Sequence, residues 1–409
     1  MAENRLINEL PVTTYRALKV NGAILPAVFG GGGSVRASVA VENTAPGEPH
    51  GVTVSTDGAE RIRELAASLQ AMRSHDGDQA GVIPPNGDTT PRHEAQPIRT
   101  GMGIEIDRLL ERDDVPTMLI ETEPGVQLTD PLILRVTPAE ESGDSAAPSY
   151  ARRLIHVGKD SSVTVVIDTA AGTPTNKEAE VNPELPPAAL GEQTLFLVED
   201  GGSLTLAMSQ LLPYESTYFH DIGGVCGEGA RATLIQLSLG ARETYNGVLV
   251  DLAGDGASLD DASGALVHGD SVYDMNYVAL HRGRDTGSLM NMNTVLLDRA
   301  TKVFRGTIDF RQGSTGSKGD EQEDVLILSP DATNRTMPVI LCQEEDMEGR
   351  HGATVGDLAE DVLFYMASRG IDETEARRII IRSRLMSVAR RIPDPALTVR
   401  IERYIRSIL

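Results

Sequence analysis

The runs ATLIQLSL (residues 232–239), NGVLVDL (246–252) and VYDMNYVALH (272–281) decide the fold class of this chain. Each is rich in β-branched, aromatic or other apolar residues and is bounded by Gly, Asp, Asn or Ser, a pattern that predicts short strands joined by turns. Similar runs extend from about residue 115 to about residue 340: MLIET at 118–122, LILRV at 132–136, SVTVVID at 162–168, SLTLAM at 203–208, NTVLLD at 293–298, TKVFRGTIDF at 301–310 and DVLILS at 324–329. No helical pattern interrupts them, which argues against doubly wound α/β folds, because those need a crossover helix after nearly every strand.

A β-solenoid fits these runs better than a sandwich or a barrel. Several runs are apolar on both strand faces, whereas a sandwich strand alternates between core and solvent. The composition agrees, since aromatic residues make up only 4%, Trp is absent, and 40 Gly and 22 Pro indicate many turns. We therefore predict a mainly β chain with a parallel β-helix core, in which each coil buries its face on the next.

Helical signals flank the β region on both sides. Residues 57–73 have apolar residues at helical spacing, and residues 75–98 are Gly-, Pro- and Asp-rich, which predicts a flexible loop. After residue 350, cap residues precede three amphipathic segments at Thr354/Asp357, Asp372/Glu375 and Asp394-Pro395. We predict an N-terminal mixed or helical region over 1–115, a β-helix core over 116–350 and a C-terminal helical domain over 351–409.

Charge and composition exclude several classes of function. There are 37 basic and 60 acidic residues, a formal net charge of −23, so the basic footprint of a nucleic-acid binder is missing from the chain as a whole. No window has the roughly 18 to 20 apolar residues of a membrane span, and the start has no signal-peptide pattern. Two cysteines cannot form a disulfide framework, so we expect a cytoplasmic protein. The Arg-rich C-terminal segment is either a set of solvated helix faces or a docking surface for an acidic partner.

Motifs with a defined chemistry are mostly absent. The chain has no Walker A loop, HExxH, G-x-S-x-G or CxxC motif. His351 follows the acidic residues Glu344, Glu345, Asp346 and Glu348, and imidazole beside carboxylates can ligate iron or zinc. A structural histidine is the alternative. His281, which ends a β run, is a second candidate, although a lone histidine in this position is more often a hydrogen-bonded surface or core residue.

The residues around His351 resemble the SufB/SufD family of the SUF iron–sulfur cluster assembly system. The matching stretches are His351-Gly-Ala-Thr-Val-Gly356, Leu363-Phe364-Tyr365 and Ser368-Arg369-Gly370-Ile371, supported by Val303-Phe304-x-Gly306-x-Ile308. Arg350-His351-Gly352 resembles the SufD branch, because SufB-type chains have Glu-His-Glu there.

The resemblance implies a right-handed parallel β-helix that acts as a non-catalytic scaffold. It implies pairing with a SufB-like subunit and a SufC-like ATPase on the C-terminal helices. We expect the ATPase to dock near Phe364, Tyr365, Arg369 and Gly370. It also implies that His351 contributes to a transient iron–sulfur cluster shared across the interface.

Acidic residues near His351 are further candidates for the cluster site: Glu323, where SufB-type chains have a cysteine, Glu345 and Glu348. Clusters are normally held by several thiolates, and the chain's cysteines, Cys226 and Cys342, lie far apart in the sequence. We therefore expect that this chain holds no cluster alone.

Two alternatives remain open from the sequence. One is a self-associating scaffold that works as a homodimer with the ATPase alone. The other is a β-helix polysaccharide lyase or hydrolase, which the missing Trp and the missing catalytic pattern disfavour.

Overall fold

The computed structural model describes residues 5–11, 20–30, 35–43, 51–73, 98–111, 115–139, 147–171 and 185–409. The loop predicted over 75–98 lies outside the described residues, except for residue 98.

Two parallel sheets form the body of the protein, and successive strands from residue 117 onward alternate between them. The first sheet has ten strands: β3 (Val35–Arg36), β5 (Val52–Ser55), β6 (Thr117–Thr122), β8 (Ser149–Val157), β10 (Ala189–Val198), β12 (Thr217–Cys226), β14 (Glu243–Leu252), β16 (Val272–His281), β18 (Thr301–Phe310) and β20 (Thr333–Cys342). The second has nine: β4 (Ser38–Asn43), β7 (Leu132–Thr137), β9 (Ser162–Ala170), β11 (Ser203–Leu211), β13 (Arg231–Ser238), β15 (Ser258–Val267), β17 (Gly287–Leu296), β19 (Ser317–Ile327) and β21 (Met347–Gly356). This is a parallel β-solenoid, so the predicted fold class is confirmed.

The core lies between the two sheets and is built from stacked positions. Parallel pairing in register places Val250, Ala279 and Ile308 one above another on consecutive coils of the first sheet, and all three are fully buried. Each coil therefore covers the apolar row of the coil before it, which explains why a chain with few aromatic residues can still bury a long core.

The first end of the solenoid is closed by residues that precede the predicted core. Strands β4 and β5 add antiparallel to β7 and β6. Helix α1 (Gly58–Arg73), predicted over 57–73, packs Ile62, Leu65 and Leu69 on this end of the first sheet. A hairpin of β1 (Leu6–Ile7) and β2 (Ala23–Ile24), a 3-10 turn (Ala27–Gly30) and α2 (Ile104–Leu110) complete the N-terminal part. The region 1–115 is thus partly built into the solenoid.

The helical part begins at Glu360 rather than at residue 351. Strand β21 continues to Gly356, and Thr354 pairs with Asp324 of β19, so it cannot cap a helix. Helix α3 (Glu360–Ser368) instead has Ala359 at its N-cap and no side-chain cap bond. The Thr354/Asp357 capping box was therefore wrong, because a strand ladder occupies its first residue.

The next two helix starts are confirmed. The Asp372 carboxylate accepts a hydrogen bond from the Glu375 amide at the start of α4 (Glu373–Ala389). The Asp394 carboxylate accepts bonds from the amides of Ala396 and Leu397 at the start of α5 (Pro395–Ile408).

Three arginines of this tail attach its helices to the solenoid. Arg384 pairs with Asp324 at 2.5 Å, Arg391 pairs with Asp260 at 2.7 Å, and Arg400 contacts the buried Asp168. Apolar residues of α4 and α5 share a cluster with the outer face of the second sheet. These three arginines therefore favour a structural role over an acidic-partner surface. No helix within the described ranges has both the length and the apolar character to span a membrane.

Candidate functional site at the open end of the solenoid

The last coil, β20 with β21, leaves the core uncovered. Ile340 stacks on Ile308 and Val355 stacks on Val325, both of which are buried. Yet Ile340 is 37% exposed and Val355 is 49% exposed. Both strands are also the last members of their sheets, so each carries a backbone edge without a strand partner in the described part of the chain. We call this surface the open end.

His351 lies within the open end, in the middle of β21 and not at a strand-to-helix junction. Its register partner is Glu321 on β19, and the Nδ1 and Oε1 atoms are 3.4 Å apart. The histidine side chain is 28% exposed, whereas the carboxylate beneath it is buried. His351 thus has a buried acidic side chain on the interior side of its ring, and its other side is accessible from the open end.

A buried ionic cluster fills the interior beneath His351. Lys302 of β18 contacts the Glu323 carboxylate, which also accepts a hydrogen bond from Thr336 Oγ1 at 3.1 Å. The Lys302 ammonium donates to Asn334 Oδ1 at 3.1 Å as well. All three ionisable groups, Lys302, Glu321 and Glu323, are buried.

Burial shifts the pKa values of two members of this cluster, Glu321 and Lys302, towards neutrality. Desolvation raises the pKa of Glu321 to about 7, against the opposing attraction of the Lys302 charge. Desolvation likewise lowers the pKa of Lys302 to about 7, against the attraction of Glu321. Burial thus disfavours the charged form of both groups.

Gly306 makes room for the Glu321 carboxylate. A Cβ built at residue 306 would overlap both carboxylate oxygens. The glycine thus permits a carboxylate inside the solenoid at this height, where a larger residue would displace it from beneath His351.

The other acidic candidates are not brought to His351. Glu348 is three residues from His351 on the same strand, and side chains at odd spacing point to opposite faces. It contacts Arg350, and its carboxylate lies 3.7 Å from Lys318 Nζ. Glu345 lies in the exposed turn before β21. Across the described ranges, no group of three or more His, Cys, Asp or Glu side chains could hold a metal ion.

His281 is a core histidine bonded to hydroxyl groups. Its Nδ1 lies 2.8 Å from Thr286 Oγ1 and its Nε2 lies 2.9 Å from Ser288 Oγ, and Phe310 packs on the ring. Burial lowers the pKa of His281 to about 4. Both ring nitrogens are engaged, so the geometry offers no free nitrogen for a ligand.

The two cysteines occupy different environments. Cys226 is buried in the core, and desolvation raises the pKa of its thiol well above the ordinary range. Cys342 is exposed and stacks above Phe310 on the last strand of the first sheet. Neither thiol pairs with the other in a disulfide.

The four residues predicted for ATPase docking lie in helix α3 or directly after it. Phe364 and Tyr365 are in the helix, and Arg369 and Gly370 follow its last residue. The helix has no buried residue, and its aromatic side chains Phe364 and Tyr365 are 77% and 58% exposed. The Arg369 guanidinium lies 5.2 Å from the centre of the Tyr365 ring. Gly370 follows the helix with a φ of 82°, a left-handed conformation that favours glycine.

Lys302, Glu321 and Gly306 were not recognised as site residues from the sequence. The only local signal is the alternation in SKGDEQEDV (317–325), which places Glu321 and Glu323 on one face of a strand. That this face points inward, beneath His351, depends on the register of strands far apart in the sequence.

Comparison with known proteins agrees with this architecture. A model of the SufBD core domain of the SUF iron–sulfur cluster assembly system matches residues 139–384, which is more than half of the chain. The iron–sulfur cluster assembly protein SufD of Bacillus subtilis is 25% identical over 273 residues, which cover 66% of this chain and 59% of that protein.

Other relatives match shorter stretches. An iron–sulfur cluster assembly SufBD family protein of Staphylococcus saprophyticus is 28% identical over 156 residues, covering 38% of this chain and 34% of that protein. One from Mycobacterium tuberculosis is 27% identical over 165 residues, covering 40% of this chain and 20% of that protein. The chain thus spans less than two thirds of the length of each of these relatives. The family match over residues 139–384 includes most of the solenoid described above. The chain belongs to the SufBD family of the SUF iron–sulfur cluster assembly system and is a SufD-like member of it.

Proposed function

We propose that this chain is a non-catalytic, cytoplasmic scaffold subunit of an iron–sulfur cluster assembly complex. It pairs through its open end with a SufB-like subunit and carries a SufC-like ATPase on its C-terminal helices. An iron–sulfur cluster is built transiently at the interface between the two subunits and is then released as the product of the assembly complex. His351 supplies one ligand there, and the partner supplies the thiolates.

The observation that carries this proposal is the uncovered core at the open end. Interior positions such as Ile340 and Val355 belong to stacked apolar rows that elsewhere are covered by the next coil. Edge strands with exposed apolar residues are sites for pairing with another chain. A second β-solenoid presenting the same kind of end would cover both the rows and the backbone edges.

The position of His351 supports a shared cluster. It lies on the inner face of the last coil, so a partner that covers the open end would lie over its imidazole. Thiolates are the usual cluster ligands, and the chain has only two cysteines, so the proposal assigns the remaining ligands to the partner. Glu323 contacts Lys302 inside the solenoid, so we assign it to the buried ionic cluster and not to the ligands. Glu345 lies in the exposed segment before β21.

The pairing is tested by the mass of the assembly. We expect Val355→Arg to weaken co-purification with a SufB-like chain, because the charge would be buried at the interface. Val41→Arg is the matched control, since Val41 is an exposed valine on β4 at the other end. Native mass spectrometry determines which subunits each assembly contains. It is applied to the chain alone and to its mixtures with the SufB-like and SufC-like chains.

Three outcomes of that measurement decide the proposal. A complex containing all three chains, lost in Val355→Arg and kept in Val41→Arg, supports it. A homodimer that binds the ATPase and no SufB-like chain supports the homodimeric scaffold instead. A monomer under every condition, with no difference between the two variants, refutes pairing through the open end.

A further inference from the structure

We propose that Glu321 is a positioning residue for His351: it holds the imidazole with Nδ1–H directed into the solenoid, so that Nε2 is presented at the open end. The inference deepens the proposed function and rests on it in one respect, namely that a ligand uses Nε2. The orientation itself is a property of this chain alone.

Strand register puts the two side chains in line. Glu321 and His351 are partners in the parallel ladder of β19 and β21, and both point to the interior. Because paired residues on neighbouring parallel strands stack at about 4.8 Å, the carboxylate lies directly beneath the ring. The nitrogen nearest to it is Nδ1, at 3.4 Å from Oε1.

The carboxylate needs a donor at this position. Glu321 Oε1 is buried, and in the described part of the chain it has no hydrogen-bond partner of its own. A buried, unpaired carboxylate oxygen is costly. His351 Nδ1 lies 3.4 Å from this oxygen, so a hydrogen on Nδ1 would supply the missing donor. A small approach of the ring closes the bond, and the partly exposed His351 has room to make it.

The charge of the buried cluster favours the same arrangement. Two carboxylates, Glu321 and Glu323, face one ammonium, Lys302, and the ammonium contacts Glu323. With both carboxylates ionised, the cluster thus carries an excess of negative charge whether or not Lys302 is protonated. A positive or hydrogen-donating edge of His351 compensates it, whereas a ring lone pair directed at Glu321 would not.

The chemical consequence concerns the exposed nitrogen. The nitrogen of a histidine that is free for a metal is set by the hydrogen bond that the other nitrogen makes. Metal-binding histidines commonly donate that bond to a carboxylate, which fixes the ring and raises its basicity. Glu321 would give His351 this support before any partner or iron arrives.

The tautomer of His351 can be measured directly. The full chain is labelled with ¹⁵N-histidine, and the ring nitrogens are observed by long-range ¹H–¹⁵N correlation at about pH 8, where an ordinary imidazole is neutral. His351→Asn assigns the signal. We expect the wild-type ring to be mainly Nδ1–H with an unprotonated Nε2. A mainly Nε2–H ring in the folded wild-type chain would overturn the proposal without any further variant.

Variants then test the cause. In Glu321→Gln the amide can either donate to or accept from Nδ1, so we expect the tautomer preference to fall, and Glu321→Asp should restore part of it. Glu348→Gln is the matched control, because that carboxylate lies on the same strand as His351 and faces the other way. An unchanged tautomer in Glu321→Gln, or an equal change in Glu348→Gln, would overturn the role of Glu321.

Cluster assembly separates this inference from the proposed function. With the SufB-like and SufC-like chains, Glu321→Gln should lower the rate of cluster formation roughly tenfold, the lower bound for losing such support. If His351→Ala blocks assembly while Glu321→Gln matches wild type in rate and tautomer, only the positioning role fails. If His351→Ala has no effect, the proposed ligand role fails whatever the tautomer.

Discussion

Arg400 of α5 contacts Asp168 of β9, and this buried ion pair ties the last helix of the chain to a strand in an early coil of the solenoid. Asp168 also accepts a hydrogen bond from Arg135 at 2.6 Å. The C-terminal helices are therefore anchored along the side of the solenoid, and the open end remains uncovered by them in the monomer.

Breaking this ion pair should destabilise the packing of the C-terminal helices on the solenoid. Asp168→Asn leaves two arginines facing a neutral group in a buried site, and we expect a loss of about 3 kcal/mol in the free energy of unfolding. Arg406→Gln breaks the exposed pair with Glu402 within α5 and should cost less than about 1 kcal/mol. Urea unfolding followed by circular dichroism measures both, and equal losses would contradict a special role for Asp168.

Gly306 should tolerate no side chain. Gly306→Ala places a methyl group against the Glu321 carboxylate, and we expect a loss of about 1–3 kcal/mol of stability from overpacking, together with a changed His351 environment. Gly287→Ala is the control, since a Cβ there meets nothing within 4 Å. Thermal unfolding compares the two; a neutral Gly306→Ala would show that the carboxylate is not confined there.

The core histidine His281 should link stability to pH. Its pKa is about 4 in the fold, below the ordinary value of 6.5, so the unfolded chain binds this proton first as the pH falls. The stability of the wild-type chain should thus fall between about pH 6.5 and about pH 4 by up to roughly 3 kcal/mol on account of this group.

A variant isolates that contribution from the other titrating groups. His281→Gln should be less stable at neutral pH, because the bonds to Thr286 and Ser288 are disturbed. The stability gap to wild type should narrow as the pH falls through the same window. A gap that stays constant with pH in chemical denaturation would mean that His281 does not carry the linkage.

The exposed aromatic face of α3 should bind the ATPase. Phe364→Ser removes a large apolar side chain that is 77% exposed and should weaken binding of a SufC-like chain at least about tenfold, as expected for an aromatic anchor. Val399→Ser alters an exposed apolar residue on α5 and should leave binding unchanged. Isothermal titration calorimetry measures the affinity of both variants for the SufC-like chain. Equal affinities for Phe364→Ser and wild type would show that the docking surface does not include Phe364.

Much of the fold follows from local sequence patterns. The strand runs, helix α1 and the caps at Asp372 and Asp394 are local features, because each depends on residues a few positions apart. The end of β21 could not be predicted in this way. Thr354 and Asp357 have the spacing of a cap, but the ladder to β19 outweighs it, and that ladder depends on the whole stack of coils.

The candidate site likewise contains one residue that the sequence indicates and several that it does not. His351 stands out in the sequence through its neighbours, whereas its contact with Glu321 and the Lys302–Glu323 pair comes from the register of three strands, β18, β19 and β21. Residues that meet only through such pairing carry no spacing signal. Glu345 and Glu348, although near His351 in sequence, are not beside its ring for a different reason: Glu345 precedes β21, and Glu348 lies at odd spacing from His351 on that strand.

The most direct test of the account is anaerobic cluster reconstitution on the purified assembly of this chain with SufB-like and SufC-like subunits, comparing wild type with His351→Ala. Native mass confirms that each assembly is intact, and bound iron and sulfide are quantified. The account predicts that the variant assembles normally but forms clusters far more slowly or not at all. Undiminished cluster formation on an intact His351→Ala assembly would contradict it.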